Sequence, residues 1–496
     1  MNTIQRLKNA AHINLNIPAR ASVFFTMSNL ISKAAAFLLT PLFTRLLSPS
    51  EYGEYSLFGS YLGILIVIVS LELTGGVIMR AFQRNKELKH LTMLSALLLC
   101  LPLSLPATVT LFLLKDITGG GLGFSYAYPL LAVSLASLTV INIYVSKCKF
   151  LYKWIPYLVV SLIQSVAAPL ISIIFLGLNP FKSASHVTVK IATVTTVLLT
   201  VALILLTVTF KKAYREIKEA SMSYEDTKRY TRETLKFMLK LSLPLLPYYF
   251  SVMLISQADK IIVSGIFGKG VLGAYSVAHS AGIALTAVTG GLMSSLSPWL
   301  MRRARSGDFD KIREILDTVT SITAVVIVIF LSLAPDVFKF LAPKEYYFAL
   351  PIIFISALIP IPLSLAQCAS SISIAKEKVG GVLLSGILPM ITVFALNLIL
   401  SEMRKIYIPA LISLFGYLLL MTLGIVHVRL KTGKYIINVN NTLQKSLFLL
   451  FASAVLFLAK DMLFIRITVS FIFSLLLLYM LKGALVLLRE REKTTG

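Results

Sequence analysis

Apolar stretches of about 20 residues recur along this chain from one end to the other. Nothing else in it constrains the fold as strongly. Fourteen can be delimited, near residues 21–44, 54–79, 90–114, 122–146, 154–178, 187–210, 240–264, 270–298, 315–341, 347–373, 379–401, 406–428, 443–460 and 464–488. In a bilayer every backbone amide must be bonded within the protein, so stretches of this kind must be helices. Of the 496 residues, 57% are hydrophobic and only 14% are charged. A soluble domain carries about a quarter charged residues, so this chain has too little charge to coat a water-facing surface. The predicted fold is an all-α integral membrane protein of about 14 transmembrane helices, with no separate soluble domain.

The formal net charge of +25 would suit a nucleic-acid partner in a soluble protein. Its placement argues otherwise. With the first segment entering from the cytoplasm, the 47 Lys and Arg favour the cytoplasmic loops by about three to one, as membrane insertion favours. That removes the need for nucleic acid and predicts both termini in the cytoplasm. The first residues lack the compact apolar core of a cleavable signal peptide, and a weakly amphipathic basic surface helix is expected there. Cys100, Cys148 and Cys368 are scattered, with no metal or redox spacing.

The longest polar connection, "KKAYREIKEASMSYEDTKRYTRETLKFMLK" (Lys211 to Lys240), follows the sixth segment. It reads as a charged, helical cytoplasmic linker. On either side the chain repeats itself. "SEYGEYS" (Ser50 to Ser56) aligns with "GVLGAYS" (Gly270 to Ser276), matching Gly53 with Gly273, Tyr55 with Tyr275 and Ser56 with Ser276. Each motif joins two apolar segments on the outer side and reads as a turn. The basic exits Met79–Arg80 and Met301–Arg302 also correspond. Two six-segment units of equal orientation predict two pseudo-symmetric lobes related by an axis along the membrane normal. The expected division is 1–210 for the N-lobe, 211–239 for the linker, 240–428 for the C-lobe and 429–496 for two extra spans and a tail. Alternating access by rocking of the lobes follows from such a layout.

"FTMSNLISKAAAFLLTPLFTRLLSPSEYGEYSLF" resembles the first helix pair of the Wzx-type polysaccharide-biosynthesis flippases, within the multidrug/oligosaccharidyl-lipid/polysaccharide exporter superfamily. "SQADKIIVSGIFGKGVLGAYSVAHS" is similar to the seventh-to-eighth helix junction of the same family. The resemblance implies a transporter, not an enzyme, of the bacterial cytoplasmic (inner) membrane. Its cargo would be an undecaprenyl-pyrophosphate-linked oligosaccharide, the repeat unit of a surface polysaccharide such as O-antigen or capsule. It further implies that spans one, two, seven and eight line a central cavity. Membrane lipids, a polysaccharide polymerase and chain-length machinery would be partners.

Ionisable groups inside a bilayer are costly and mark functional candidates. Lys33 stands mid-span in the first segment. Ser22, Thr26, Asn29, Lys33, Thr40 and Thr44 recur near helical spacing, giving a polar stripe whose cation suits a pyrophosphate. A structural pair with Glu72 is the alternative. Glu72, in the second span, reads either as a coupling-ion site for H+ or Na+ or as a partner of Lys33 or Arg80. Asp259 and Lys260 are neighbours on a helix and point about 100° apart, so one is expected to bond another segment and the other to face the cavity. Asp259 is a second coupling-ion candidate. Tyr275, His279, Thr286 and Thr289 give the eighth span a polar face, with His279 either a titrating group or a hydrogen-bonded structural one. Arg45 is placed to meet head groups or an emerging phosphate. Gln164, Gln367, Asn142 and Asn397 read as interhelical hydrogen-bonders. Pro41, Pro169, Pro244, Pro247, Pro298, Pro360, Pro362 and Pro389 read as kinks.

No metal-binding, nucleotide-cradling or paired-carboxylate motif is present, so no cofactor is expected. The outer loops are too short for the active site of a membrane-embedded polymerase or transferase, which is the competing reading from another class. A cation-coupled multidrug-type exporter is the competing reading within transporters. It would prefer acids where Lys33 stands.

Overall fold

The computed structural model describes residues 17–84, 87–115, 121–124, 126–178, 185–375, 380–400 and 403–494. The surface helix expected over the first residues falls largely outside them, as do Lys86, Lys182, Lys376 and Lys378. All regular elements among the described residues are helical. The first half contains α1 (Ile17–Leu46), α2 (Pro49–Ser70), α3 (Val77–Arg84), α4 (Lys89–Cys100), α5 (Ser104–Leu113), α6 (Ala127–Phe150), α7 (Trp154–Leu162), α8 (Ala168–Leu178) and α9 (His186–Glu219). After α10 (Tyr224–Ser242) come α11 (Leu246–Ile283), α12 (Thr286–Ser306), α13 (Phe309–Leu341), α14 (Leu350–Ser356) and α15 (Pro360–Ala375). The chain ends with α16 (Gly380–Leu400), α17 (Ile408–Thr432), α18 (Val439–Leu458) and α19 (Leu463–Thr494).

Among the described residues, 11 helices are long and apolar enough to cross a membrane, or 12 if the pair Lys344–Ser356 and Pro360–Ser373, bent by 43°, forms one span. Two differences from the fourteen predicted segments have clear causes. Predicted span seven and the first part of span eight share α11, span eight running on into α12, and the hydroxyls and charges of α1 and α12 lower their apolarity. Yet α11 is not one rod. The Tyr275 hydroxyl donates to Asp259 Oδ2 at 2.6 Å, whereas sixteen residues of straight helix cover about 24 Å. The chain reverses at Gly268, where φ is 82° and ψ 172°, a conformation open essentially to glycine alone. α11 is therefore a hairpin of two limbs.

The start of α2 is written in the sequence. Ser48 is its N-cap, Pro49 occupies the first turn, and Glu51 completes a capping box in which each residue bonds the other's backbone amide. That places Gly53, Tyr55 and Ser56 inside the helix. The motif expected to be a turn is a helix start, and the turn proper is only Leu47–Ser48. The second predicted span is not continuous either. Leu71 and Glu72 both sit in the left-handed region, at φ 48° and 49°, and a short 3-10 turn over Leu73–Gly75 precedes α3. The fifth span carries a π turn over Ile163–Ala167, just before Pro169, whose missing amide removes one rung of the helix.

The linker is helical as expected. α9 continues to Glu219, and α10 begins behind a second capping box formed by Ser223 and Asp226. α10 packs on α3 and α4, with a 2.7 Å bond between the Tyr230 and Thr92 hydroxyls. The bundle thus has a linker end and, opposite it, a turn end where α1 meets α2. One hydrophobic core joins residues of both halves, including Phe43, Leu57, Leu131, Leu272, Leu331 and Ile352. The linker-end residues of the first half, such as Leu73, Phe82, Met93, Ile141 and Met238, form a separate cluster. Cys100, Cys148 and Cys368 are free and buried.

Candidate functional site

The two sequence repeats meet. α2 packs on α11 more extensively than any other two helices pack, and the contact is reciprocal. A β-carbon built on Gly53 would strike the Lys269 carbonyl, and one built on Gly273 would strike the Pro49 carbonyl. Ser56 Oγ donates to Ser276 Oγ at 2.6 Å, across 220 positions of sequence. Position 49 touches 273 and position 53 touches 269, so both contacts obey the same offset, as an isologous interface requires. These glycines are small for close helix approach, not for a turn.

Polar contacts surround the seam. Lys269 Nζ bonds Glu54 at 2.5 Å. Thr44 Oγ1 donates to the Leu341 carbonyl at 2.6 Å, and both terminal nitrogens of Arg45 reach the Phe340 carbonyl at 3.3 Å. Those carbonyls end α13 and have no partner within their own helix. Arg45 thus bridges the halves through backbone carbonyls.

α1 lies between α7 and α8 on one side and α12 and α13 on the other. Met27, Ile31, Leu38 and Leu42 are exposed on one face. At about 100° per residue they share one stripe, and Lys33 and Ala36 form a second exposed face roughly opposite. Lys33 therefore lies well around the helix from that stripe, with exposed Leu30 about 60° from it. Among the described residues it has no ion-pair partner, so neither the pair with Glu72 nor that of Glu72 with Arg80 is formed. Asn29 on the same stripe accepts a short hydrogen bond from the Tyr157 hydroxyl. The side chains of Ser22 and Thr26 lie outside the described residues. Glu72 is half-buried at the break after α2, within electrostatic reach of Tyr249 on α11.

Asp259, Tyr275 and His279 come together inside the α11 hairpin, enclosed rather than facing an open cavity. Asp259 is 1% exposed. Its carboxylate accepts from the Tyr275 hydroxyl and from the Lys260 backbone amide at 2.8 Å. His279 Nδ1 lies 3.6 Å from the carboxylate and 2.9 Å from Ser356 Oγ, with its ring stacked on Tyr275. Lys260 Nζ donates to Gln257 at 3.2 Å and is half-buried. Asn397 does not bridge helices through its amide nitrogen, which donates to the Val393 carbonyl of its own helix.

Lys190 is buried near the start of α9 against the rings of Phe43, Tyr52 and Tyr55. No sequence signal marks it, because its aromatic neighbours come from other helices. A groove of about 520 Å³ runs between α15, α17 and α18. Its lining, including Leu414, Met421, Ile425, Leu443 and Leu447, is almost wholly apolar, so it suits hydrocarbon and not a charged head. No group of His, Cys, Asp and Glu among the described residues is arranged to hold a metal ion.

A solved structure titled "Lipid II flippase MurJ, inward closed conformation" is similar over 93% of this chain and 99% of its own, with a TM-score of 0.66 at 15% identity. An inward-facing multidrug resistance MATE family transporter of the MOP superfamily matches 83% of this chain and 98% of its own, with a TM-score of 0.60 at 14% identity. A MOP superfamily transporter from Pyrococcus furiosus, titled for a binding pocket of reverse polarity, matches 84% and 96%, with a TM-score of 0.58 at 14% identity. At such identities the likeness is one of fold. No curated protein matches the chain. The family model "Polysaccharide biosynthesis protein" matches residues 19–304, more than half of the chain. With its apolar helices in a MOP-type transporter fold, this chain belongs to the polysaccharide biosynthesis protein family.

Proposed function

We propose that the protein is a flippase that carries an undecaprenyl-pyrophosphate-linked oligosaccharide across the bacterial cytoplasmic membrane. The observation that carries this reading is Lys33: among the described residues a cation without an ion-pair partner, mid-span, on the side of α1 away from the Met27–Leu42 stripe. An ammonium in that position suits an anionic head such as diphosphate, and such a site has little use for a neutral or cationic cargo. The apolar groove beside α17 and α18 offers a surface for a hydrocarbon tail.

The two halves act as lobes in this reading, with the turn end outside and the linker in the cytoplasm. The Gly53–Gly273 seam is then the closed outer gate, and the lobes part inward at the linker end, where the first half has a core of its own. Asp259, with Tyr275 and His279, and Glu72 at the helix break are the groups proposed to take up the coupling H+ or Na+. A polymerase and chain-length machinery would receive the flipped unit.

Loss of the gene should leave lipid-linked oligosaccharide on the inner leaflet, whereas loss of a polymerase leaves single units already flipped. In proteoliposomes, Lys33→Ala should slow flipping by roughly tenfold or more, the worth of a charge-assisted contact, while Lys33→Arg keeps most of the rate. A normal rate in Lys33→Ala would remove Lys33 from the site. Glu72 favours one competing reading, a cation-coupled drug exporter. That reading requires drug sensitivity on deletion with unaltered lipid-linked sugar.

A further inference from the structure

Lys190 is 1% exposed, and its ammonium has no hydrogen-bond partner among the described residues. It lies 3.2 Å from the centroid of Tyr55, 3.5 Å from that of Phe43 and 5.4 Å from that of Tyr52. Ring faces attract a cation, but they replace only part of the hydration that a buried ammonium gives up. A methionine would fill the same cage without that cost. The charge therefore calls for a use beyond holding these helices together.

The cage shows where that use lies. All three rings belong to α1 and α2, next to the turn that meets the second half. Tyr52 also packs edge-on against Tyr346, at 6.5 Å and 89°, and the Tyr346 hydroxyl is buried without a hydrogen-bond partner among the described residues. Tyr346 belongs to the second half, so parting the seam strips one wall from Tyr52 and opens the cage towards the turn end. Phe43 lies ten residues beyond Lys33 on α1, about 15 Å further along the helix. Lys33 and Lys190 are thus two cations at successive depths. The repeat underlines the placement: Tyr55 covers Lys190, while its equivalent Tyr275 bonds Asp259, so each half buries one charge, of opposite sign, beneath the same tyrosine.

We propose that Lys190 is a second anion-binding residue, masked while the turn-end seam is shut and reached by the diphosphate of the cargo when the seam parts. This rests on the flippase reading above.

The test labels Lys190 with a membrane-impermeant amine-reactive ester, read by mass spectrometry, in protein held in zwitterionic lipid nanodiscs. Gly53→Ala wedges the seam, and labelling should rise by about fivefold or more over wild type. Inorganic diphosphate should then slow it. Protection by phosphatidylglycerol discs in place of diphosphate would assign the site to lipid head groups and overturn the proposal, as would labelling that Gly53→Ala leaves unchanged. In proteoliposomes, Lys190→Met should melt at or above the wild-type temperature yet flip roughly tenfold more slowly, with Lys190→Arg largely restoring the rate. Wild-type flipping by Lys190→Met would leave only a packing role. If Lys33→Ala stops flipping and Lys190→Met does not, this proposal fails alone. If diphosphate protects Lys190 but the wild-type protein moves no lipid-linked sugar, the site stands and the flippase reading fails.

Discussion

At the scale of the residue, the charges that matter are those whose partners come from distant sequence. Asp259 is held by Tyr275 and approached by His279, and none of this could be read from the neighbouring Lys260. Sequence periodicity gave the direction of each side chain around its helix but not which helix would face it. Lys33 was legible because an isolated Lys in an apolar run is conspicuous by itself. Lys190 was not, since it stands near a segment end where lysines are ordinary. Removing one donor from a buried carboxylate costs about 1–3 kcal/mol. Tyr275→Phe should therefore lower the thermal stability of the purified protein by an amount in that range, while Phe at Tyr224, an exposed position, leaves it unchanged. Equal stability of the two variants would mean that the Tyr275–Asp259 bond adds nothing.

At the scale of the element, capping chemistry decided where helices begin. Ser48 and Glu51 start α2, and Ser223 and Asp226 start α10. The second box lies outside the membrane and responds to acid. Hydrogen bonds from the Ser223 side chain and backbone hold the Asp226 carboxyl below its ordinary value. A depressed folded-state value means that the cap is fully formed above the usual carboxylate range and is lost as pH falls through the lower, folded one. Amide exchange at the start of α10 should therefore be slow at neutral pH and faster in Ser223→Ala. The difference between the two proteins should shrink in strong acid, once Asp226 is protonated. A difference that persists there would show that the carboxylate takes no part. The breaks were less legible. Glu72 reads as mid-helix in sequence, yet it and Leu71 are two consecutive left-handed residues, each of which costs about 1–2 kcal/mol, and the turn that follows packs on α3 and α6.

At the scale of the molecule, the internal repeat becomes a contact. Ser56 and Ser276 touch only because two helices related by the repeat cross at their glycines. A chain carrying Ser56→Cys and Ser276→Cys should form a disulfide under mild oxidation. In the gate reading the bridge should stop lipid transport and reductant should restore it. Either single variant should transport normally under both conditions. Undiminished transport by the fully cross-linked protein would mean that the seam need not open.

Hydropathy and charge alone determined that this chain is a bundle of membrane-crossing helices, because hydrocarbon admits no backbone left unbonded. Short motifs likewise determined its repeat, although the repeated motif read as a turn and is a helix start. Tertiary structure alone decided that the repeated motifs face each other and that Asp259 and Lys190 are enclosed. It also decided that Lys33 has no ion-pair partner among the described residues. Those outcomes depend on which helices become neighbours. That choice is made by the fit of many small surfaces at once, across sequence separations as large as the 220 positions between Ser56 and Ser276.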